Sequence, residues 1–195
     1  MDRHPELNGR MWTMLIDWLH EVCSTFELHD NTLFMAVQLL HTALRHVPPI
    51  TPSRFQLYGV TALFMACKYE EVLSPELRDF VYISDDCCTR AQILATEAEI
   101  LRLHWPIFGT LYERMINLDS TEANRNALIA ISRYDVWDTQ SDHVADACLH
   151  LAMRKNLPRT RSATNKYGDL IDKLMDHSHL PESAARGIRA RISAS

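Results

Sequence analysis

Apolar residues recur every three or four positions through most of the chain, which is the spacing of amphipathic α-helices. In the first half this pattern predicts helices over about 9–25, 52–70, 75–82 and 89–103, and a second helix that is capped by residues 30–32 and runs to about 46. Five more helices are predicted near 110–118, 121–137, 140–155, 161–177 and 181–193. No segment sustains the two-residue alternation of a strand, so the sequence predicts an all-α fold.

Capping residues and prolines mark several of these helix boundaries. Thr51-Pro52 and Ser74-Pro75 each place a capping hydroxyl before a proline at the first helical position. Thr89 and Gln92 fit a capping box, in which each side chain bonds the backbone N–H of the other residue. The boundaries of the third and fifth helices are therefore predicted from local chemistry as well as from hydrophobic spacing.

The third predicted helix is apolar on almost every face, and such a helix is normally buried by neighbours on all sides. Its small residues Gly59, Ala62 and Ala66 would let those neighbours approach closely. We therefore expect a central helix with the others packed around it. The apolar character stops abruptly at residues 68–71, which are polar or charged, and this end of the helix is the first candidate for a functional surface.

A proline- and glycine-containing joint separates the two predicted sets of five helices. We divide the chain into a lead-in over 1–8, a first helical domain over 9–104, a linker over 105–109 and a second helical domain over 110–195.

The net charge of −5 on this 195-residue chain is spread unevenly. Residues 1–153 hold 11 Lys or Arg against 21 Asp or Glu, whereas residues 154–195 hold 9 against 4. An acidic body disfavours nucleic acid as the main partner. Apolar residues interleave the basic tail, which favours a solvated helix face; a nucleic-acid or phosphate patch is the alternative.

The cysteines and the hydropathy indicate a reduced, intracellular protein of the nucleus, the cytoplasm or both. Cys23, Cys67 and Cys148 sit among apolar helical residues, as buried thiols do. No apolar run reaches the ~18 residues of a membrane span, and the polar first residues argue against a secretory signal.

The sequence contains no motif of an enzyme or of a cofactor site. A Gly-rich phosphate loop, G-x-S-x-G and H-E-x-x-H are all missing. His143, Asp146 and His150 share one predicted helix face, but no other cluster has metal-ligand spacing, so no metal site is predicted.

From about residue 5 to residue 103 the sequence resembles the first cyclin box of mitotic, A/B-type cyclins. The matching segments follow one another in the family's order: His4-Pro5-Glu6-Leu7-Asn8, Ile16-Asp17-Trp18-Leu19-His20-Glu21-Val22, Leu57-Tyr58-Gly59-Val60-Thr61-Ala62-Leu63, Ala66-Cys67-Lys68-Tyr69-Glu70-Glu71 and Asp79-Phe80-Val81-Tyr82-Ile83-Ser84-Asp85. The second half matches in helix count and scattered apolar positions. The resemblance implies tandem five-helix cyclin boxes.

The resemblance also implies a non-catalytic subunit that binds and activates a cyclin-dependent protein kinase in cell-cycle control. In that family the third and fifth helices face the kinase's mobile helix, and Lys68 and Glu97 match the central contacts. Tyr69, Glu70 and Glu71 fall at the margin, with the Tyr69 ring expected to be half buried. From the residues alone, Lys68 and Glu97 could pair only with each other, and the two neighbouring glutamates could be a solvated helix end.

A second implied site is the family's groove for substrates and inhibitors that carry an Arg-x-Leu motif. The matching positions are Met11, Met14, Leu15 and Trp18, with Glu21 as the acidic partner of the Arg and Gln56 beside it. The alternative is a plain helix face packed on the core.

The chain departs from the family at an internal ion pair between the first two helices. Trp12 stands where the family has Arg, and the segment 40–44 lacks the family's Asp. We expect Trp12 to pack against a neutral His41 in place of the pair.

Two other functional classes remain open on the sequence. One is a transcription-type cyclin-fold protein that binds DNA or polymerase machinery, which the acidic body disfavours. The other is a cyclin-fold scaffold that binds a kinase-like partner without activating it.

Overall fold

The computed structural model describes residues 3–85, 87–103, 126, 129–131 and 147–148. Five α-helices form its first part: α1 Gly9–Thr25, α2 Asp30–His46, α3 Pro52–Glu70, α4 Leu77–Ile83 and α5 Arg90–Arg102. Helices α1, α3 and α5 lie within one residue of the predicted bounds. Helix α2 ends at His46 as predicted, but residues 30–32, predicted as its caps, are already helical and His29 is the capping residue. Among the described residues none forms a strand, and the all-α prediction is confirmed.

The predicted capping chemistry accounts for where α3 and α5 begin. The Thr51 side chain accepts a hydrogen bond from the Arg54 N–H at 3.5 Å. Thr89 and Gln92 form the predicted capping box, in which the Thr89 N–H donates to Gln92 Oε1 at 2.8 Å. These bonds satisfy backbone donors that a helix start leaves unpaired.

The start of α4 differs from the prediction by two residues. The helix begins at Leu77, after Glu76 as the capping residue, and not at Pro75. The Glu76 N–H donates to Asp79 Oδ2 at 2.8 Å, while the Ser74 hydroxyl donates to the Pro75 carbonyl at 3.2 Å. The Ser74 hydroxyl is thus bonded to a carbonyl outside the helix and does not cap it. Glu76 and Asp79 form the cap instead and set the start of α4.

Helix α3 is the centre of the first unit, as its apolar pattern predicts. It contacts α1, α2, α4 and α5, and every residue from Tyr58 to Cys67 is buried. Helix α1 packs tightly on it at Gly59, where an added Cβ would lie 2.9 Å from both Cδ atoms of Leu15. The missing side chain at Gly59 therefore sets the distance between α1 and α3.

The segment before α1 is anchored to the far end of α2, which the sequence did not reveal. His4 is buried, and its Nε2–H donates to the Leu44 carbonyl at 2.7 Å while its Nδ1 accepts from the Ile50 N–H at 3.3 Å. The Arg3 guanidinium donates to the Arg45 carbonyl. We call residues 3–8 the N-terminal strap.

The chain divides into two compact units, Met1–Ile107 and Phe108–Ser195. In the second unit the described residues 126, 129–131 and 147–148 are helical, inside the helices predicted over 121–137 and 140–155. The helices predicted near 110–118, 161–177 and 181–193 lie outside the described residues. That 105–109 is a linker and 110–195 a second cyclin box stays a prediction.

Two further expectations concern membranes and disulfides. In the described part of the chain, no helix is long and apolar enough to cross a membrane. No disulfide joins any of the five cysteines, all of which are described, and Cys23, Cys67 and Cys148 are buried as predicted.

Candidate functional site

Lys68 and Glu97 meet where the last turn of α3 lies beside α5. The Lys68 ammonium donates a hydrogen bond to Glu97 Oε1, and its Nζ also lies 4.3 Å from the centroid of the Phe64 ring. The Lys68 side chain is 44% exposed, whereas that of Glu97 is 14% exposed. The two predicted residues are therefore brought together, with the ammonium held between a carboxylate and an aromatic face and still open to water.

Exposed apolar side chains lie close in sequence to both members of this ion pair, and most of them were not predicted as site residues. Val72 is 98% exposed and Leu73 is 90% exposed, just beyond the end of α3. Leu101 is also exposed, and it lies four residues after Glu97 on the same face of α5. With Tyr69 these residues form what we call the apolar rim. The signal that the sequence prediction missed is the pair Val72-Leu73, because two adjacent apolar residues in a connection between helices belong to no amphipathic pattern.

The margin residues separate into two kinds. Tyr69 is 64% exposed, so the expectation of a half-buried ring is wrong for this chain. Glu71 faces the start of α2: its carboxylate accepts hydrogen bonds from the His29 N–H at 2.9 Å and from the Thr32 hydroxyl. Since a carboxylate at a helix N-terminus is stabilising, Glu71 has a role in the fold. Glu70 is half-buried at the end of α3.

A second ion pair joins the same two helices at the other end of α3. Arg54 donates to Glu99 Oε2 at 3.1 Å and to the Tyr58 hydroxyl at 3.3 Å. Tyr58 is fully buried, and burial, followed by its hydrogen bond to Glu99, raises its pKa well above the ordinary value of 10.0. This pair completes the hydrogen bonding of a core side chain.

The six residues of the predicted docking groove lie on α1 and on the adjoining start of α3. Met14 and Glu21 are exposed, Leu15 is buried against Gly59, and Met11, Trp18 and Gln56 are half-buried. A helix face with an exposed methionine, a half-buried tryptophan and one exposed carboxylate suits a peptide with an apolar residue and a cation. Peptide docking at this surface stays a prediction.

Trp12 is buried, as the proposed replacement of the family's ion pair requires. It is 2% exposed, and its ring stacks on that of Phe55 with centroids 6.2 Å apart and an interplanar angle of 28°. Phe55 belongs to α3, so Trp12 helps to fix α1 against α3. His41 is half-buried on α2, and its packing against Trp12 stays a prediction.

Among the described residues no group of three or more His, Cys, Asp or Glu side chains could hold a metal ion. His143, Asp146 and His150 lie outside the described residues.

Comparison with known proteins identifies the family. Residues 1–107 match the model of the cyclin N-terminal domain. Cyclin-B2 of Anguilla japonica is 37% identical over 188 residues, which cover 88% of this chain and 48% of that protein. Cyclin-B of Marthasterias glacialis is 46% identical over 97 residues, covering 50% of this chain and 25% of that protein. The chain thus spans about half the length of the first of these curated relatives and about a quarter of the length of the second.

Solved structures agree on the fold. The X-ray structure of a viral cyclin from herpesvirus saimiri superposes with a TM-score of 0.63 at 18% identity, covering 96% of this chain and 86% of that one. At this identity the likeness concerns the fold alone, which is all-α in both. The match to the cyclin N-terminal domain over residues 1–107, more than half of the chain, shows that the chain belongs to the cyclin family.

Proposed function

We propose that this chain is an intracellular regulatory subunit, not itself an enzyme, that binds and activates a cyclin-dependent protein kinase in cell-cycle control. The observation that carries the proposal is the Lys68–Glu97 pair, which joins α3 to α5 at an exposed point close in sequence to the apolar rim. The mitotic names of the relatives, cyclin-B2 and cyclin-B, support the cell-cycle part.

The chemistry of the pair suits the binding of a helix by its backbone. An ammonium has three donors, so Lys68 can keep its bond to Glu97 and still donate to backbone carbonyls of a partner. The Glu97 carboxylate can accept from backbone N–H groups, which are unpaired at a helix N-terminus. Contacts of this type recognise the position of a helix and not its side chains.

The apolar rim supplies the second requirement of an interface, which is buried apolar area. Val72, Leu73 and Tyr69 are almost fully or largely exposed in the isolated chain. Their burial against a kinase would exclude water from the Lys68–Glu97 pair and so strengthen its hydrogen bonds. A kinase arrangement that makes these contacts is bound more tightly than one that does not, and its population rises. The catalytic groups belong to the kinase.

Reconstitution with purified cyclin-dependent kinases tests the proposal. The wild-type chain should bind one of them and raise its phosphorylation of a histone substrate. The double variant Lys68→Ala, Glu97→Ala should lose activation by about tenfold or more, which corresponds to about 1.4 kcal/mol. Circular dichroism should show the same helical content as the wild type.

The ion pair at the other end of α3 provides the matched control. The double variant Arg54→Ala, Glu99→Ala removes the same charges from the same two helices and should keep activation. Retained activation in the Lys68, Glu97 variant would show that the site is elsewhere. A wild-type chain that binds a kinase without raising its activity would be a scaffold, and one that binds none would refute the proposal.

We further propose that the α1 surface docks Arg-x-Leu peptides, with Met11, Met14 and Trp18 contacting the leucine and Glu21 the arginine. Leu15 forms the buried base of this surface and Gln56 its edge on α3. Titration with a fluorescent Arg-x-Leu peptide should show saturable binding. Trp18→Ala should weaken it by about tenfold, since aromatic anchors carry much of such an interface.

Tyr82→Ala, which truncates an exposed aromatic residue on α4, is the control and should leave peptide affinity unchanged. Absence of saturable binding to the wild-type chain would exclude the docking site while leaving the kinase proposal untouched.

A further inference from the structure

Two adjacent cysteines occupy the connection between α4 and α5. Cys87 and Cys88 lie between Ser84, the last cap of α4, and Thr89, the first cap of α5. Their sulfur atoms are 3.6 Å apart. No step of the proposed kinase binding uses them.

The contact between the two sulfurs depends on the local bend of the backbone. Neighbouring side chains on an extended chain point to opposite sides. Here the Cys87 N–H donates to the Ser84 carbonyl at 3.1 Å, and Asp85 has a positive φ of 54°. The resulting turn brings two side chains together that the sequence alone would separate.

The two thiols have different surroundings. Cys87 is exposed, whereas Cys88 is 1% exposed. Burial raises the pKa of Cys88 to about 12, and the hydrogen bond and charge of Cys87 act in the same direction. Cys88 is therefore held as a protonated thiol beneath a partner that solvent reaches. Cys23, Cys67 and Cys148, by contrast, are all buried.

We propose that Cys87 and Cys88 form a reversible thiol–disulfide pair that reacts with hydroperoxides. Cys87 is the thiol that the oxidant reaches, and Cys88 is the resolving thiol that closes the bond.

The chemistry balances with hydrogen peroxide as the oxidant. The Cys87 thiolate attacks one peroxide oxygen, the O–O bond breaks, and Cys87 becomes a sulfenic acid while hydroxide leaves and takes up a proton. The Cys88 sulfur then attacks the sulfenic sulfur, the S–O bond breaks, and the Cys88 proton leaves with the oxygen as water. Two thiols and one peroxide give one disulfide and two waters, and the sulfurs lose two electrons.

Adjacency makes such a disulfide labile. Consecutive Cα atoms are about 3.8 Å apart across a trans peptide, below the usual disulfide range of about 4.4–6.8 Å. A bond formed outside that range is strained and more easily reduced, which is typical of regulatory disulfides and not of structural ones. The pair should therefore return to the dithiol under mild reduction.

The test uses the purified full chain without a kinase. The reduced chain is treated with a few equivalents of hydrogen peroxide, alkylated and digested, and its peptides are analysed by mass spectrometry. The expected product is an intramolecular Cys87–Cys88 disulfide that dithiothreitol reverses. In Cys88→Ser, Cys87 should accumulate as a sulfenic acid, with several-fold more dimedone label than in the wild type. Cys148→Ser, at a buried position, should behave as the wild type.

Phenylarsine oxide gives a second measurement that needs no substitution, because trivalent arsenic bridges two close thiols. It should protect Cys87 from iodoacetamide in the wild type, and a dithiol should release it. The proposal would be overturned if Cys87 were oxidised to sulfinic or sulfonic acid while Cys88 remained a reduced thiol that the later alkylation modifies. A disulfide that joins two chains, or a failure of the arsenical to protect, would also overturn it.

Discussion

Two ion pairs join α3 to α5, and they have similar chemistry but different surroundings. Arg54–Glu99 encloses the hydroxyl of Tyr58, a fully buried core residue. Lys68–Glu97 has a half-exposed ammonium, and the exposed apolar residues of the rim follow both of its members in sequence. The first pair completes the fold, while the second presents charge and apolar area to a partner. A salt bridge between helices is thus informative only when its neighbours are known.

The geometry of α5 explains how one helix serves both pairs. Glu97 and Glu99 are two residues apart, so their side chains leave α5 about 200° apart around its axis. One carboxylate reaches towards Arg54 and the other towards Lys68. Because α3 is narrow at Gly59, Ala62 and Ala66, the helices that pack around it can approach closely. As a result, Arg54–Glu99 joins the start of α3 to α5, and Lys68–Glu97 joins the end of α3 to the same helix.

The largest effect on stability is expected at Gly59, in the buried part of α3 and away from the Lys68 end that carries the candidate site. Gly59→Val would place a branched side chain where a single Cβ already lies 2.9 Å from Leu15. The overpacking should lower the free energy of unfolding by about 1–3 kcal/mol, measured by urea denaturation. Ala95→Val, on an exposed face of α5, controls for the cost of a β-branched residue in a helix. Equal losses in both variants would contradict the close packing of α1 on α3.

A smaller difference in the free energy of unfolding should separate the variants of the two ion pairs. Arg54→Ala with Glu99→Ala removes two hydrogen-bond partners of the buried Tyr58 hydroxyl and should cost about 1 kcal/mol of unfolding free energy. Lys68→Ala with Glu97→Ala should cost about 0.5 kcal/mol or less, because solvent screens the exposed ammonium. Thermal or urea denaturation of the two double variants measures the contrast. A reversed order would mean that the Lys68 end is the structural one.

A similarly small effect is expected at Glu71, which stands at the Lys68 end of α3 but contacts the start of α2. Glu71→Gln removes the negative charge at the N-terminus of α2 and should cost about 0.3–1 kcal/mol of stability. Kinase activation should fall little in the fraction that remains folded. Glu70→Gln is the neighbouring control and should leave stability unchanged. A loss of activation in Glu71→Gln without a loss of stability would place Glu71 in the interface.

Local chemistry in the sequence was sufficient for most of the first unit. The helices α1, α2, α3 and α5 were predicted because hydrophobic spacing and capping residues are short-range signals. The choice of Lys68 and Glu97 as site residues came from the resemblance to cyclins, since no spacing rule links residues 29 positions apart. The start of α4 was missed because Ser74-Pro75 and Glu76–Asp79 offer two competing caps.

The features that could not be predicted from the sequence depend on contacts between residues far apart in the chain. Glu71 reaches the start of α2, 42 residues away at His29, and nothing near Glu71 indicates that partner. The burial of His4 depends on carbonyl and amide groups that only the folded chain brings together. The exposure of Val72 and Leu73 is likewise a property of the assembled surface, because an apolar pair in a connection is compatible with burial or exposure.

The N-terminal strap has a consequence for the order in which the first unit assembles. His4 bonds to residues 40 and 46 positions further along the chain, so the strap can dock only after α2 and the connection that follows it have formed. Closing such loops costs chain entropy before the contacts repay it. We expect docking of the strap to be a late step of folding and its release an early step of opening. Hydrogen exchange should then find the Ile50 amide less protected than amides in the middle of α3.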